Sequence, residues 1–328
     1  MRNFIRYSII LLLPSVALFN SCDDAGLLPT DNRAGKITFT QQNHLITLTP
    51  AVDNYMYNLW IFLADSSWKY YYSKLGNFNV TSNGSLVDAS GNPVELSINP
   101  DDTVNLSRAL YCIVTIDEGF VVTPGPTRIL GGAFSIYNDS VSAVLTFTDT
   151  LALGSVANAL SGPNSVFYFV NTPTNNGADC QKGIWFGDTN GTPSWPAGSS
   201  LNPGSGWQYK GWLYNRATNE YFTTGKFYSP FETDLDGAGP CAGSLGAPYN
   251  IPGQDWVVTG CSNVDNILNG NYEIFVVLEP ENRPASLPPF VFKLYWQNQI
   301  VTSLLCLRRD NMFLQRVNFP KARIRITR

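Results

Sequence analysis

At 328 residues the chain is long enough for two cores of ordinary size, and its formal net charge of −4 argues against nucleic acid as a partner, because phosphate contacts need a positive field. Aromatic residues at 13% against 14% charged exclude a self-repelling, disordered chain. The 27 Gly and 21 Pro suit a fold of many short strands and many turns.

Residues 1–21 read as an export signal. Arg2 and Arg6 precede an apolar run from Ile9 to Phe19, broken by Pro14 and Ser15. That run is shorter than the roughly 20 apolar residues that span a bilayer. It ends at Leu18-Phe19-Asn20-Ser21-Cys22, followed by Asp23 and Asp24. This ending resembles the lipobox of bacterial lipoproteins, with Phe19 where Leu is commonest. The resemblance implies cleavage before Cys22, acylation of its thiol, and a polar tether over residues 22–34. It implies an outer-membrane lipoprotein of the bacterial cell envelope, periplasmic or surface-exposed, held to the membrane by its N-terminal lipid.

Beyond the tether the pattern is strand-like and occurs twice. Gly35-Lys-Ile37-Thr-Phe39 opens the first copy. Tyr57-x-x-Trp60 follows, then Tyr70-Tyr71-Tyr72 and Gly76-x-Phe78, then a run from Tyr111 to Ile116 ending in Asp117-Glu118 and a turn at Pro124. Val141, Ala143, Leu145 and Phe147 alternate with more polar neighbours, as one face of a strand does. Leu151–Leu160 allows a helical turn or two, and Val166–Val170 is read as closing the copy. Residues 174–182 lie in a Gly/Pro-rich stretch and serve as the linker. Gly183-Ile184-Trp185-Phe186 opens the second copy, in which Tyr209-x-x-Trp212, Tyr221-Phe222, Gly225-x-Phe227 and the run from Tyr272 to Glu279 recur in the same order. Ala322, Ile324 and Ile326 alternate with polar residues and are read as its closing strand. The expectation is all-β: two tandem antiparallel β-sandwiches, residues 35–173 and 183–328, each with its own core and with Trp60 and Trp212 at equivalent core positions.

Apart from Cys22 there are five cysteines, so at least one thiol lacks a partner within the chain. Cys241 and Cys261 flank a Gly/Pro-rich excursion and are expected to form a disulfide outside the cytoplasm. Cys112 and Cys306, in apolar runs, read as buried small hydrophobes. The spacing does not suit structural zinc.

The run from Gly206 through Trp207, Tyr209, Gly211 and Trp212, then Thr224-Gly225-Lys226-Phe227, then Leu278-Glu279-Pro280 with further prolines, resembles the extracytoplasmic C-terminal domain of anti-sigma-K-type anti-sigma factors. The likeness covers most of residues 35–328 and is clearer in the second copy. It implies a sensing, binding or scaffold module of the envelope. Sigma sequestration is not implied, because the chain shows no transmembrane helix and no sigma-binding segment.

Candidate chemistry is sparse. His44 is the single histidine and reads as solvated, which leaves no Ser-His-Asp or multi-histidine arrangement. Glu118 and Glu279 look repeat-equivalent and therefore structural, not two acids across one glycosidic bond. Glu232, Asp234 and Asp236 crowd one loop but lack the full EF-hand pattern, so a solvated acidic turn is expected in preference to a calcium site. No catalytic residue, metal or cofactor is assigned. Trp68 and Trp195 are the candidate ligand-binding rings, because exposed aromatic faces match the apolar faces of sugars. The function expected is a non-enzymatic binding or scaffold module with an unknown envelope protein or glycan as partner, and a carbohydrate-binding or adhesive surface lipoprotein is the alternative.

Overall fold

A computed structural model describes residues 35–43, 45–65, 67–98, 106–137, 140–172, 174, 177–242, 246–300, 306–315 and 319–327. Cys22 and His44 lie outside the described residues. Strands come in chain order as β1 (Gly35–Asn43), β2 (Tyr55–Ala64), β3 (Tyr70–Val80), β4 (Leu86–Val87), β5 (Ser97–Ile98), β6 (Ala109–Glu118), β7 (Arg128–Ala133), β8 (Ser135–Tyr137) and β9 (Ser140–Thr146). They continue as β10 (Ser165–Val170), β11 (Gly183–Trp185), β12 (Trp207–Asn215), β13 (Glu220–Phe227), β14 (Gly253–Asp255), β15 (Tyr272–Pro280), β16 (Lys293–Gln297), β17 (Arg309–Leu314) and β18 (Lys321–Thr327). The helices α1 (Pro50–Asp53) and α2 (Gly154–Leu160) are short. The fold is all-β, built from two antiparallel sheets, one curled and the other close to a barrel.

Sheet membership does not follow the two copies. The first sheet runs β4-β3-β2-β6-β7-β9-β18-β1-β5, and the second β13-β12-β15-β16-β17-β10-β11-β14. The closing strands are therefore exchanged. β10, expected to close the first copy, pairs with β17 and β11 of the second sheet. β18, expected to close the second, lies between β9 and β1 of the first, with Ile324 opposite both Ala143 and Phe39. Alternation had placed the correct residues inward, since Ala322, Ile324 and Ile326 are fully buried. It identifies a buried face but not the partner strand. As a result one continuous cluster of buried side chains runs from Ile37 to Ile326, where two separate cores were expected. A smaller cluster surrounds Trp185 and Phe169.

Within that frame the repeated motifs do the same jobs. Tyr57 pairs with Phe78 and Ile116, as Tyr209 pairs with Phe227 and Leu278. Each tyrosine hydroxyl donates to an upstream loop carbonyl at 2.7 Å, Tyr57 to Ile46 and Tyr209 to Ser199. Gly76 and Gly225 stand beside equivalent bulges with φ of 157° and 92°, and a Cβ on Gly225 would collide with Asp234 and Asp236.

The register also corrects one equivalence. Ile116 and Leu278 match, so the counterpart of Glu279 is Asp117, not Glu118. At the neighbouring buried position the first copy has Asn58, which donates to Asp117 at 3.0 Å, and the second has Lys210, whose charge favours the ionised form of Glu279. Trp60 and Trp212 are both buried, but on the sheet face opposite Tyr57 and Tyr209. Trp60 Nε1 donates to Thr115, whereas Val277 stands at the matching position of the second copy and Trp212 Nε1 has no partner.

Among the described residues one five-residue turn is built four times, closing at 65/69, 81/85, 88/92 and 188/192. In each, the first residue's N–H donates to the fifth residue's carbonyl, at 2.8 or 2.9 Å. The side-chain oxygen of Asp65, Thr81, Asp88 or Asp188 accepts from the backbone inside the turn. The fourth residue is left-handed: Gly84, Gly91 and Gly191 in three turns, Trp68 with φ 60° in the other. A left-handed conformation penalises a side chain by roughly 1–2 kcal/mol. Glycine also adds unfolded-state entropy, which offsets part of that gain. Trp68→Gly should therefore raise stability by about 0.5–1 kcal/mol, seen as a higher thermal midpoint.

Disulfides join Cys241 to Cys261 and Cys180 to Cys306, with Cα separations of 5.6 and 5.8 Å. Cys306 is thus not a free buried hydrophobe, because it closes a long loop onto the segment before β11. Cys112 is the buried free thiol among the described residues.

Candidate functional site

The outer face of the second sheet carries a row of rings that sequence reading did not assemble. Trp212 on β12 lies opposite Phe275 on β15, Phe275 opposite Trp296 on β16, and Trp296 opposite Phe313 on β17. Four adjacent strands thus present one aromatic residue each, in register. Lateral neighbours in a sheet are close enough for such rings to pack on one another. Tyr221 of β13 extends the row, its ring 6.2 Å from Trp212 and 6.4 Å from Phe275.

Exposure varies along the row. Trp212 and Phe275 are buried, Trp296 is half-buried, and Tyr221 and Phe313 are about half exposed. The Lys293 ammonium sits 4.2 Å above the Phe275 ring and 5.5 Å from Trp296. Burial depresses the Lys293 pKa, and Glu273 opposes that shift by favouring its charged form. Glu273 also accepts from Trp296 Nε1 at 3.0 Å, which fixes the indole. The face therefore presents parts of three rings, Tyr221, Trp296 and Phe313, beside a cation and an oriented carboxylate.

The residues expected from sequence fall elsewhere. Trp68 is 70% exposed at the β2–β3 turn, at the far end of the first sheet. Trp195, read as an exposed ring, is instead buried, 4% exposed, with its ring 5.2 Å from Tyr209 and 4.9 Å from Tyr295. The flanking prolines suggested a surface loop, but that loop folds over the core. Residues Met56, Asn77, Asp88 and Phe120 line a groove of about 430 Å³ on the first sheet. Its Asp88 carboxylate is occupied in the turn that it caps.

The acidic loop is not a solvated turn throughout. Asp234 is buried, accepts from Gly253 N–H at 3.1 Å, and has its second oxygen without a partner. Burial first, and then the nearby Asp236 carboxylate, push its pKa to about 9. Glu232 is exposed. Among the described residues no three His, Cys, Asp or Glu side chains converge as metal ligands. Because the pKa of Asp234 in the fold lies above the ordinary carboxylate value of 3.8, the stability its proton confers is fully present below about pH 4 and lost as pH rises toward 9. Asp234→Asn should remove this fall. Urea unfolding at pH 5 and pH 8 checks it: the variant should gain relative to the parent only at the higher pH, by about 1–3 kcal/mol.

A buried charge cluster ties the halves together. Arg283, 2% exposed, lies 3.4 Å from both Asp53 and Glu279 and donates to the Pro288 carbonyl at 2.7 Å. Lys226 approaches Glu279 at 3.7 Å, and Lys210 donates to the Ala285 carbonyl at 2.9 Å. Every charge here has a partner, so the cluster organises the 281–292 loop and presents no open chemical site.

No family model, curated protein or solved structure matches this chain.

Proposed function

We propose that the protein is a non-enzymatic, lipid-anchored module of the bacterial cell envelope that binds a glycan on the outer face of its second sheet. The observation that carries this reading is the in-register row Trp212–Phe275–Trp296–Phe313, bordered by Tyr221, Lys293 and Glu273. Buried Trp212 and Phe275 hold the row in place, and the accessible rings Tyr221, Trp296 and Phe313 are pre-positioned to match the apolar faces of pyranose units at little conformational cost. Lys293, 4.2 Å from the Phe275 ring, borders the row with positive charge, and Glu273 fixes the orientation of the Trp296 indole.

Binding in preference to hydrolysis is favoured because Glu273 is committed to Trp296, whereas glycosidases need two acids flanking the bond. Attachment through Cys22 and an outer-membrane location follow from the lipobox-like ending. The two disulfides agree with an oxidising compartment. The likeness to anti-sigma-K-type domains enters as a proposed kinship of architecture for an envelope binding module, without a regulatory role.

A glycan array probed with the full chain tests the reading. Binding to a restricted set of oligosaccharides is expected, with the bound sugar recovered uncleaved. Release of shortened sugars, or no binding to any glycan, would contradict it.

A further inference from the structure

Exposed apolar side chains lie at both ends of the first sheet: Val52, Phe120 and Val122 where β6 finishes, and a group of aromatic and aliphatic side chains with nearby lysines at the opposite end, where β6 begins. Lys36 pairs with Thr327, Thr327 with Ser140, and Ser140 with Tyr137. One residue separates β7 from β8, and that residue, Phe134, donates its N–H to the Leu110 carbonyl. Ala133 pairs with Tyr111, Tyr111 with Phe62, and Ala64 with Tyr70, two residues beyond Trp68. The start of β1, the β8–β9 hairpin, the start of β6 and the β2–β3 turn therefore share one end. There Trp68 is 70% exposed, Tyr137 61%, Tyr70 55%, Ile136 51% and Leu110 40%. Lys36 and Lys69 are exposed among them.

We infer that this end of the first sheet rests on a lipid bilayer, with Trp68, Tyr70, Ile136 and Tyr137 in the boundary between headgroups and acyl chains. Three observations converge on a lipid occupant. The chain enters β1 at this end, and the twelve residues from 23 to 34 can reach no more than about 40 Å from an acylated Cys22, so an anchored molecule holds this end near the membrane. Trp and Tyr with flanking Lys is the composition that settles at a bilayer interface, each ring having an apolar body and a polar tip. Trp68 also occupies a left-handed position that is glycine in three sister turns, so an unfavourable backbone holds an exposed indole at this turn. Tethering of this end through Cys22 rests on the lipoprotein reading.

The test reconstitutes the full chain and its Trp68→Gly variant into vesicles of phosphatidylethanolamine and phosphatidylglycerol, with and without acyl-brominated phosphatidylcholine. Trp68→Gly should fold at least as well as the parent, so lost signal would not report unfolding. Brominated lipid is expected to quench a blue-shifted part of the parent's tryptophan emission, and the variant should lack that component. Equal emission changes in parent and variant, with both bound to vesicles, would overturn the inference. Mass spectrometry of the N-terminus separates the two ideas. An unacylated Cys22 defeats the anchor alone, and the same quenching difference at high vesicle concentration then decides the membrane face by itself.

Discussion

Ending the chain after Pro320 should unfold the first sheet and leave the second largely protected, although the deleted strand is the last in sequence. β18 is paired along its full length on both sides, to β1 and to β9. Its removal exposes Ala322, Ile324 and Ile326, all fully buried, and leaves two facing strand edges without partners. Burial of each isoleucine alone contributes about 1.5–3 kcal/mol, and the lost ladder adds to that. Measured by amide hydrogen exchange, protection should vanish in residues 35–43 and 140–146 and persist in 207–215 and 272–280. Ile324→Ala should show the same polarity in milder form, at about 2–5 kcal/mol. Loss of protection confined to the second sheet would mean that β18 closes its own copy and that the strands are not exchanged.

Arg283→Ala should destabilise the protein by about 3–5 kcal/mol, among the largest effects of any single substitution. Removing the guanidinium leaves Asp53 and Glu279 buried with less compensating charge, and burial already raises the pKa of each. It also frees the Pro288 carbonyl and loosens the loop that covers Lys210 and Lys226. Arg283→Lys keeps the charge but not the fork that reaches Asp53, Glu279 and Pro288 together, so it should fall between parent and alanine. The shift in urea midpoint across the three proteins checks this order.

The fold was legible where one strand's own residues carry the signal. The alternation of residues 141–147 and 321–327, the paired Tyr57 and Tyr209, and the bulge glycines Gly76 and Gly225 all do so. Partner choice was not legible, because an alternating strand presents the same face whichever sheet receives it. Matching Tyr111 to Tyr272 by residue type slipped the register by one. That slip moves a side chain across the sheet: Tyr272 points into the core, whereas Tyr111 donates to Asp149. Cys306 looked apolar because its neighbours Leu304, Leu305 and Leu307 are, yet sulfur pairing with Cys180 is set by the tertiary fold. The aromatic row was invisible for a related reason. Trp212, Phe275, Trp296 and Phe313 are scattered over about 100 residues and share nothing until four strands are aligned. A search for aromatics at outward positions of neighbouring strands would have found them once the strand order was known.

Calorimetric titration of the parent and Phe313→Ala chains with an array-selected oligosaccharide tests the binding face most directly. Phe313 is half exposed at the row's outer end, so its truncation should leave the fold intact while removing a stacking surface. An aromatic contact of this kind is worth about 1–2 kcal/mol, a five- to thirtyfold weaker affinity, and Trp296→Ala should weaken binding further. Unchanged affinity in both variants, with the sugar still bound, would place the glycan elsewhere and contradict the assignment of this face.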